Sequence, residues 1–142
     1  MQRKNFLKVT CAGLALACLP WLAAADVPGI DKAGLAALDA QVGKVMEGYN
    51  SGSWKAFYGS GWAEQTKAIQ TEQTFTTLYK NMYLKQYGTL KSRKINESKS
   101  TFSDMVGLIV YDAQFSNKKG TLAVNFFKEG GQYKIQQVQV QP

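Results

Sequence analysis

The chain has no histidine, and this absence removes a large part of enzyme chemistry. None of its 142 residues can supply an imidazole base, proton shuttle or metal ligand. Serine–histidine triads, histidine zinc sites and histidine-based pH switches are therefore excluded. Any acid–base catalysis would have to depend on carboxylates.

Cysteine is almost as scarce, and both copies lie in the first 25 residues. Residues 1–10 are basic and contain no acid, and residues 9–25 form an uncharged run rich in Ala and Leu that ends in three alanines. A basic start, a short apolar stretch and small residues before the cut are typical of a signal peptide. We therefore predict that residues 1–25 are removed on export, and that residues 26–142 form one periplasmic or secreted domain.

The positions of the two cysteines leave a second maturation route open. If cleavage follows Ala25, the mature domain has no thiol and needs no disulfide. Cys18 follows Ala15-Leu16-Ala17, a loose lipobox whose large aliphatic residue lies one position too close to the cysteine. Lipidation of Cys18 would tether the domain to a membrane. The signal-peptide route is favoured because its small-residue site matches the expected pattern better.

Arginine is scarce as well, which bears on possible partners. Only Arg3 and Arg93 occur, and Arg3 lies in the predicted leader. Without the leader, 14 Lys+Arg stand against 10 Asp+Glu, a net charge of +4. Proteins that bind nucleic acids usually concentrate arginine on one face. We therefore expect no nucleic-acid partner, and the scattered lysines indicate a solvated surface.

The first half of the mature chain has helical periodicity. From Asp31, apolar residues recur at three- and four-residue steps until Gly52, which predicts a long helix. A second long helix is predicted to begin at Thr71, a suitable cap, and to end at Gly88. Between them, residues 53–62 are dense in aromatics and glycine and predict a short helix or turn that plugs one end of the core.

After Gly88 the period changes toward two, which predicts strands. The first strand is polar, so we expect it at an edge of the sheet. The predicted strands form an antiparallel meander and cover residues 90–100, 106–116, 121–128 and 132–140.

The last predicted strand contains a change of parity. Tyr133 and Ile135 fall on one parity, whereas Val138 and Val140 fall on the other. Either a bulge near Gln136 resets the register, or both faces of the strand are partly covered. A bulge would bend the strand and let the sheet curve round a helix.

Three short motifs carry a resemblance to a known family. They are Asn50-Ser51-Gly52-Ser53-Trp54 with Phe57-Tyr58, Tyr87-Gly88-Thr89-Leu90-Lys91-Ser92 at the helix-to-strand junction, and F-x-K-x-G-G-x-Y-K-I from Phe126 to Ile135. In this order they resemble the nuclear transport factor-like, or cystatin-like, α+β cone family, and within it small exported bacterial proteins of unknown function. The resemblance implies N-terminal helices packed on a curved four-stranded antiparallel sheet around a conical cavity. It implies no single function, because this architecture hosts enzymes and binding modules alike.

The enzymes of that family suggest one alternative, a cofactor-free isomerase or hydratase that uses a carboxylate and tyrosines. The acid in the middle of a strong strand is Asp112, and Tyr58, Tyr79 and Tyr83 would supply phenols. However, strand alternation puts Tyr111 and Ala113 on the apolar face and Asp112 on the other. We therefore expect Asp112 to face water.

The aromatic residues of the first half are candidates for a ligand pocket. Small-molecule pockets are mainly apolar with a few polar groups, but aromatics at helical spacing usually pack in the core. Tyr79, Tyr83 and Tyr87 are spaced by four and share one helix stripe. The pocket candidates are Trp54, Tyr58, Trp62, Tyr79 and Tyr83.

The sequence favours a binding role over catalysis. It has no histidine, no glycine-rich phosphate cradle and only one mid-strand acid, which we expect on an outer face. We therefore predict an exported non-enzymatic binding or protein-interaction domain with no cofactor and no metal. Its expected partner is a protein or a small apolar ligand, and the family resemblance adds a homodimer through the outer face of the sheet.

Overall fold

The computed structural model describes residues 25–142, and residues 1–24 of the predicted leader, with Cys11 and Cys18, lie outside them. The chain folds as an α+β domain in which helices precede an antiparallel sheet, as the sequence predicts. The helices are α1 (Lys32–Ser51), α2 (Trp54–Phe57) and α3, which is α-helical over Glu72–Thr74 and Lys85–Tyr87 and π-helical over Phe75–Leu84. The strands are β1 (Leu90–Ile95), β2 (Thr101–Phe102), β3 (Val106–Phe115), β4 (Lys119–Glu129) and β5 (Gln132–Gln141).

Helix α1 begins and ends at the residues that the sequence indicates. The Asp31 carboxylate caps the helix by accepting a hydrogen bond from the Gly34 amide at 2.6 Å. Gly52 closes it with a φ of 69°, a left-handed conformation that favours glycine. The predicted stripe is buried and makes up one side of the core, through Leu35, Val42, Val45, Met46 and Tyr49.

Helix α2 crosses α1 at a glycine. A Cβ on Gly48 would lie 2.4 Å from the backbone nitrogen of Phe57, so no other residue fits at this crossing. The crossing brings Phe57, which is fully buried, into the centre of the aromatic core. The predicted plug is therefore confirmed as a short helix.

Helix α3 differs from the prediction in its winding rather than its ends. Thr71 caps its start and Gly88 follows its last residue, as predicted. Its middle, Phe75–Leu84, is a π-helix. The backbone hydrogen bonds of a π-helix join residues five apart, whereas those of an α-helix join residues four apart. The wider turn brings residues four apart nearly into line, which suits a row of aromatic side chains along one face.

The sheet has five strands rather than the predicted four. Its order is β1-β3-β4-β5. The short strand β2 also pairs with β3, along the same edge as β1. The predicted first strand is interrupted by a 3-10 turn at Glu97–Lys99. The residues on either side of the turn still bond to β3: the Asn96 amide donates to the Val110 carbonyl, and the Ser100 hydroxyl accepts from the Val110 amide. As predicted, the polar first strand lies at an edge of the sheet.

The parity change in β5 is a β-bulge. Asn125 of β4 pairs with Gln137 and Phe126 pairs with Ile135, so Gln136 is the extra residue. The bulge puts Ile135, Val138 and Val140 on the same buried face of the sheet. That face packs against α1, α2 and α3, and no helix among residues 25–142 is long and apolar enough to cross a membrane.

Candidate functional site

The predicted pocket aromatics come together in the structure, but they pack against one another. Phe57 lies at the centre, with its ring centroid 5.0 Å from that of Tyr58, 5.4 Å from Trp62 and 4.4 Å from Tyr79. Trp62 is 9% exposed and donates from its indole nitrogen to the Phe57 carbonyl at 2.9 Å. Trp54 is half-buried at the margin of this cluster.

The tyrosines of α3 continue the cluster along the helix. Ring centroids are 5.6 Å apart between Tyr79 and Tyr83, and 6.5 Å apart between Tyr83 and Tyr87. The Tyr79 hydroxyl donates to the Val138 carbonyl at 2.8 Å. Burial raises the pKa of Tyr79 above the ordinary range and that of Tyr58 to about 12. These phenols are therefore neutral packing groups at physiological pH.

Asp112 lies where strand alternation places it. It is exposed on the outer face of the sheet, whereas its neighbours Tyr111 and Ala113 are buried. Its carboxylate accepts one hydrogen bond, from the Asn96 side-chain amide at 3.3 Å, and its cross-strand partner is Lys94. The prediction that Asp112 faces water is confirmed.

A buried polar cluster between α1 and the sheet escaped the sequence reasoning. Asp39 of α1 is 8% exposed, and its Oδ1 accepts from the Tyr111 hydroxyl at 2.8 Å. The same oxygen lies 3.2 Å from Nη2 of Arg93, which also donates to the Asp39 carbonyl at 3.0 Å. The Arg93 guanidinium carbon lies 5.5 Å from the centre of the Tyr111 ring. We call these three residues the Asp39 cluster.

The electrostatics of the Asp39 cluster favour a structural tie. Arg93 supplies the charge that makes a buried carboxylate tolerable. Burial, and then the Asp39 charge, raise the pKa of Tyr111 well above its usual value, so its hydroxyl stays a donor. Arg93 Nε is buried and has no hydrogen-bond partner within residues 25–142. The cluster joins α1 to β1 and β3, and both partners bind the acid through Oδ1.

One signal in the sequence would have located this cluster. Asp39 lies four residues after Leu35 and three before Val42, so it interrupts the buried stripe of α1 with a charge. A charge at such a position requires a partner of opposite sign in the core. Arg93 is the one arginine outside the predicted leader, and it lies on the edge strand that faces this helix.

An open groove lies between α1 and the hairpin of β4 and β5, and we call it the hairpin groove. Its volume is about 430 Å³. One wall is apolar and comes from the start of α1, and the other comes from the hairpin, where the Lys128 ammonium lies 5.1 Å from the Tyr133 ring centre. The residues that line the groove include Ile30, Ala37, Leu38, Lys128, Tyr133 and Lys134.

The floor of the hairpin groove is shaped by Gly61. Its φ is 85°, and a Cβ there would lie 2.4 Å from the Gln41 side chain, so the position requires glycine. The Gln41 amide nitrogen donates to the Ser60 carbonyl at 3.0 Å. Gly61 also accepts from the Ile135 amide at 2.6 Å, which fixes the floor to the edge strand β5.

The charge of the hairpin groove is positive. Lys128 and Lys134 line it, and none of its lining residues is acidic. The nearby Glu129 is turned away, because its carboxylate accepts from the backbone amides of Glu64 and Gln65 at 3.0 and 3.2 Å. The groove therefore combines an apolar wall with the Lys128 ammonium and with a second lysine, Lys134, in its lining.

None of the five predicted pocket aromatics lines the hairpin groove. They also do not line a second depression of about 320 Å³ between β2, β3 and the middle of the sheet. No group of three or more cysteines or acids within residues 25–142 is arranged to hold a metal ion. The hairpin groove was thus missed by sequence reasoning, because its walls meet only through tertiary packing.

The two aspartates offer a matched test of the Asp39 cluster. Asp39→Asn removes the buried counter-charge of the partly buried Arg93 and should lower the free energy of unfolding by about 2–3 kcal/mol. Asp112→Asn should change it by less than about 0.5 kcal/mol, because its carboxylate is exposed. Urea unfolding followed by circular dichroism measures both. Equal losses for the two variants would show that the cluster does not hold the helix.

The raised tyrosine pKa values predict a loss of stability at alkaline pH. In the unfolded chain tyrosines ionise near pH 10, about their ordinary pKa, whereas the fold keeps Tyr111 protonated well above this and Tyr58 up to about pH 12. The stabilisation is complete below about pH 10 and is lost as the pH rises toward the folded-state values. Urea unfolding across this range, with tyrosinate absorbance, measures the loss. Ionisation of all tyrosines near pH 10 in a still-folded protein would contradict the burial of these phenols.

No protein-family model matches the chain, and no curated protein matches it either.

Proposed function

We propose that the protein is an exported, non-enzymatic binding domain, and that the hairpin groove takes a small anionic molecule with an apolar body. The observation that carries the proposal is an open groove of about 430 Å³ with an apolar wall and two lysines. Small-molecule sites are typically about 300–1,000 Å³, mainly apolar, with a few convergent polar groups. The groove meets each of these criteria.

The charges of the groove argue for an anion. Lys128 and Lys134 line it, and Glu129, which follows Lys128 in the chain, is engaged by two backbone amides. A carboxylate or sulfonate at the rim would gain charge-assisted hydrogen bonds from the ammonium groups. A cationic ligand would meet only repulsion there.

The walls of the groove argue for an apolar body. Ile30, just before α1, and Ala37 and Leu38 on it present aliphatic surface, and Tyr133 lies on the hairpin side. Burial of such surface stabilises a complex by about 25 cal/mol per Å². An alkyl or aryl chain attached to the anionic group would supply the matching surface.

Both walls are fixed before a ligand arrives. The Asp39 cluster holds α1, and two backbone hydrogen bonds of 2.6 and 2.7 Å join Ile135 of β5 to Gly61 and Ala63. A preformed site spares the ligand the cost of ordering the protein.

A binding role is favoured over the isomerase or hydratase alternative by the placement of the acids. Asp112 points to water from the outer face of the sheet, and Asp39 is held by Arg93 and Tyr111. Neither carboxylate lines the hairpin groove. The leader-like residues 1–25 support export, and the order of helices and bent sheet supports the resemblance to the nuclear transport factor-like cone.

A pair of adjacent alanines on α1 tests the site. Ala37 lines the groove and Ala36 does not, and both are exposed, so Ala37→Trp should fill the groove while Ala36→Trp leaves it open. Titration calorimetry with decanoate should show binding to the wild type and to Ala36→Trp. Binding to Ala37→Trp should be at least about tenfold weaker, a loss of about 1.4 kcal/mol.

Two controls test the charge argument. Lys128→Gln should weaken decanoate binding by roughly threefold, the size expected for one partly exposed ion pair. Lys44→Gln, at an exposed α1 position outside the groove, should leave it unchanged. Decyltrimethylammonium, which has the same alkyl chain and the opposite charge, should not bind. Equal binding of both amphiphiles, or of decanoate to both tryptophan variants, would contradict the proposal.

A further inference from the structure

The first residues after the predicted cleavage site are fixed against the edge of the sheet. Val27 is only 2% exposed and belongs to the core. The Pro28 carbonyl accepts from the Phe102 amide of β2 at 2.9 Å. Gly29 has a φ of 88°, and a Cβ on it would lie 1.9 Å from the Phe102 carbonyl oxygen. Residues 27–29 therefore have one tightly constrained path.

That path brings the backbone nitrogen of Asp26 to a carboxylate. The nitrogen donates to Glu97 Oε2 at 3.1 Å, across 71 positions of sequence. Glu97 is exposed at the start of the 3-10 turn that separates β1 from β2. Within residues 25–142, no lysine or arginine nitrogen lies within 4.0 Å of the Glu97 carboxylate.

We propose that Glu97 binds the α-ammonium group of the mature chain, which cleavage between Ala25 and Asp26 creates. The inference rests on the export proposed above. A peptidase of the signal-peptidase class would hydrolyse the Ala25–Asp26 peptide bond with one water. The hydroxyl goes to the Ala25 carbonyl carbon, which leaves as a carboxylate, and the freed Asp26 amine takes up a proton.

Cleavage changes the chemistry of this contact without requiring the chain to move. In the precursor, the Asp26 nitrogen is a neutral amide with one hydrogen to donate. In the mature chain, it is an ammonium with three hydrogens and a positive charge, opposite a carboxylate that already lies at hydrogen-bonding distance. Glu97 therefore prefers the processed chain to the precursor.

The contact also bears on the hairpin groove. Ile30, which lines the groove, follows the Asp26–Gly29 path directly, and Asp31 after it caps α1. A docked terminus holds this end of the apolar wall in place. Processing and the shape of the groove are thereby linked through five consecutive residues.

The test uses the full-length chain, exported by a bacterial host under its own leader and recovered from the periplasm. Intact mass measurement should give a first residue of Asp26. Reductive methylation with ¹³C-formaldehyde then labels the α-amine, whose pKa is followed by NMR apart from the lysines. The α-amine should bind its proton about threefold more tightly in the wild type than in Glu97→Gln.

Two further variants sharpen the test. Glu47→Gln, at an exposed glutamate of α1, should leave the α-amine pKa unchanged, and Glu97→Lys should lower it below that of Glu97→Gln. A mature chain that begins at another residue, such as an acylated Cys18, would overturn the inference and leave the groove proposal standing. Equal α-amine pKa values in the wild type and Glu97→Gln would overturn it as well. Loss of decanoate binding alone would count only against the groove.

Discussion

The buried carboxylate of Asp39 is the constraint on which the arrangement of helix and sheet depends. A charge in apolar surroundings is tolerable only when it is paired and hydrogen-bonded. Both partners of Asp39 lie on the sheet. Arg93 on β1 supplies the opposite charge, and the Tyr111 hydroxyl on β3 donates a hydrogen bond. Hydrophobic contact is non-directional, so the stripe of α1 alone would permit small slides across the sheet. The hydrogen bonds from Tyr111 and Arg93 to Asp39, at 2.8 and 3.2 Å, are directional, so they prevent such slides and fix the position of α1.

The hairpin groove follows from that fixed position and from the bend in β5. Ile30, just before α1, and Ala37 and Leu38 in its first turns form one wall, on the far side of Asp39 from the aromatic plug. The bulge at Gln136 bends β5 near its start, and Lys128 and Tyr133, which pair across the hairpin, contribute to the facing wall. The aromatic cluster round Phe57 fills the other part of the concave face. Packing thus buries the aromatic residues of the helical half, and the groove is lined by aliphatic residues, lysines and Tyr133.

Much of the fold could be predicted because its signals are local. Asp31, Gly52, Thr71 and Gly88 mark helix ends through their own backbone and side-chain bonds, and alternation along β3 places Asp112 outside. The π-helical winding of α3, the split of the first strand and the Asp39 cluster depend on partners distant in sequence. The groove was missed for the same reason, since α1 and the hairpin are about ninety residues apart in the chain.

The central claim is that a preformed, basic and apolar groove binds an anionic amphiphile. Native mass spectrometry of the protein purified from its own cells, with no ligand added, tests this most directly. We predict a retained small molecule that carries a carboxylate or similar anion on an apolar body, and its loss from the Ala37→Trp variant. Recovery of the wild type without such a molecule, or equal retention by Ala37→Trp, would contradict the account.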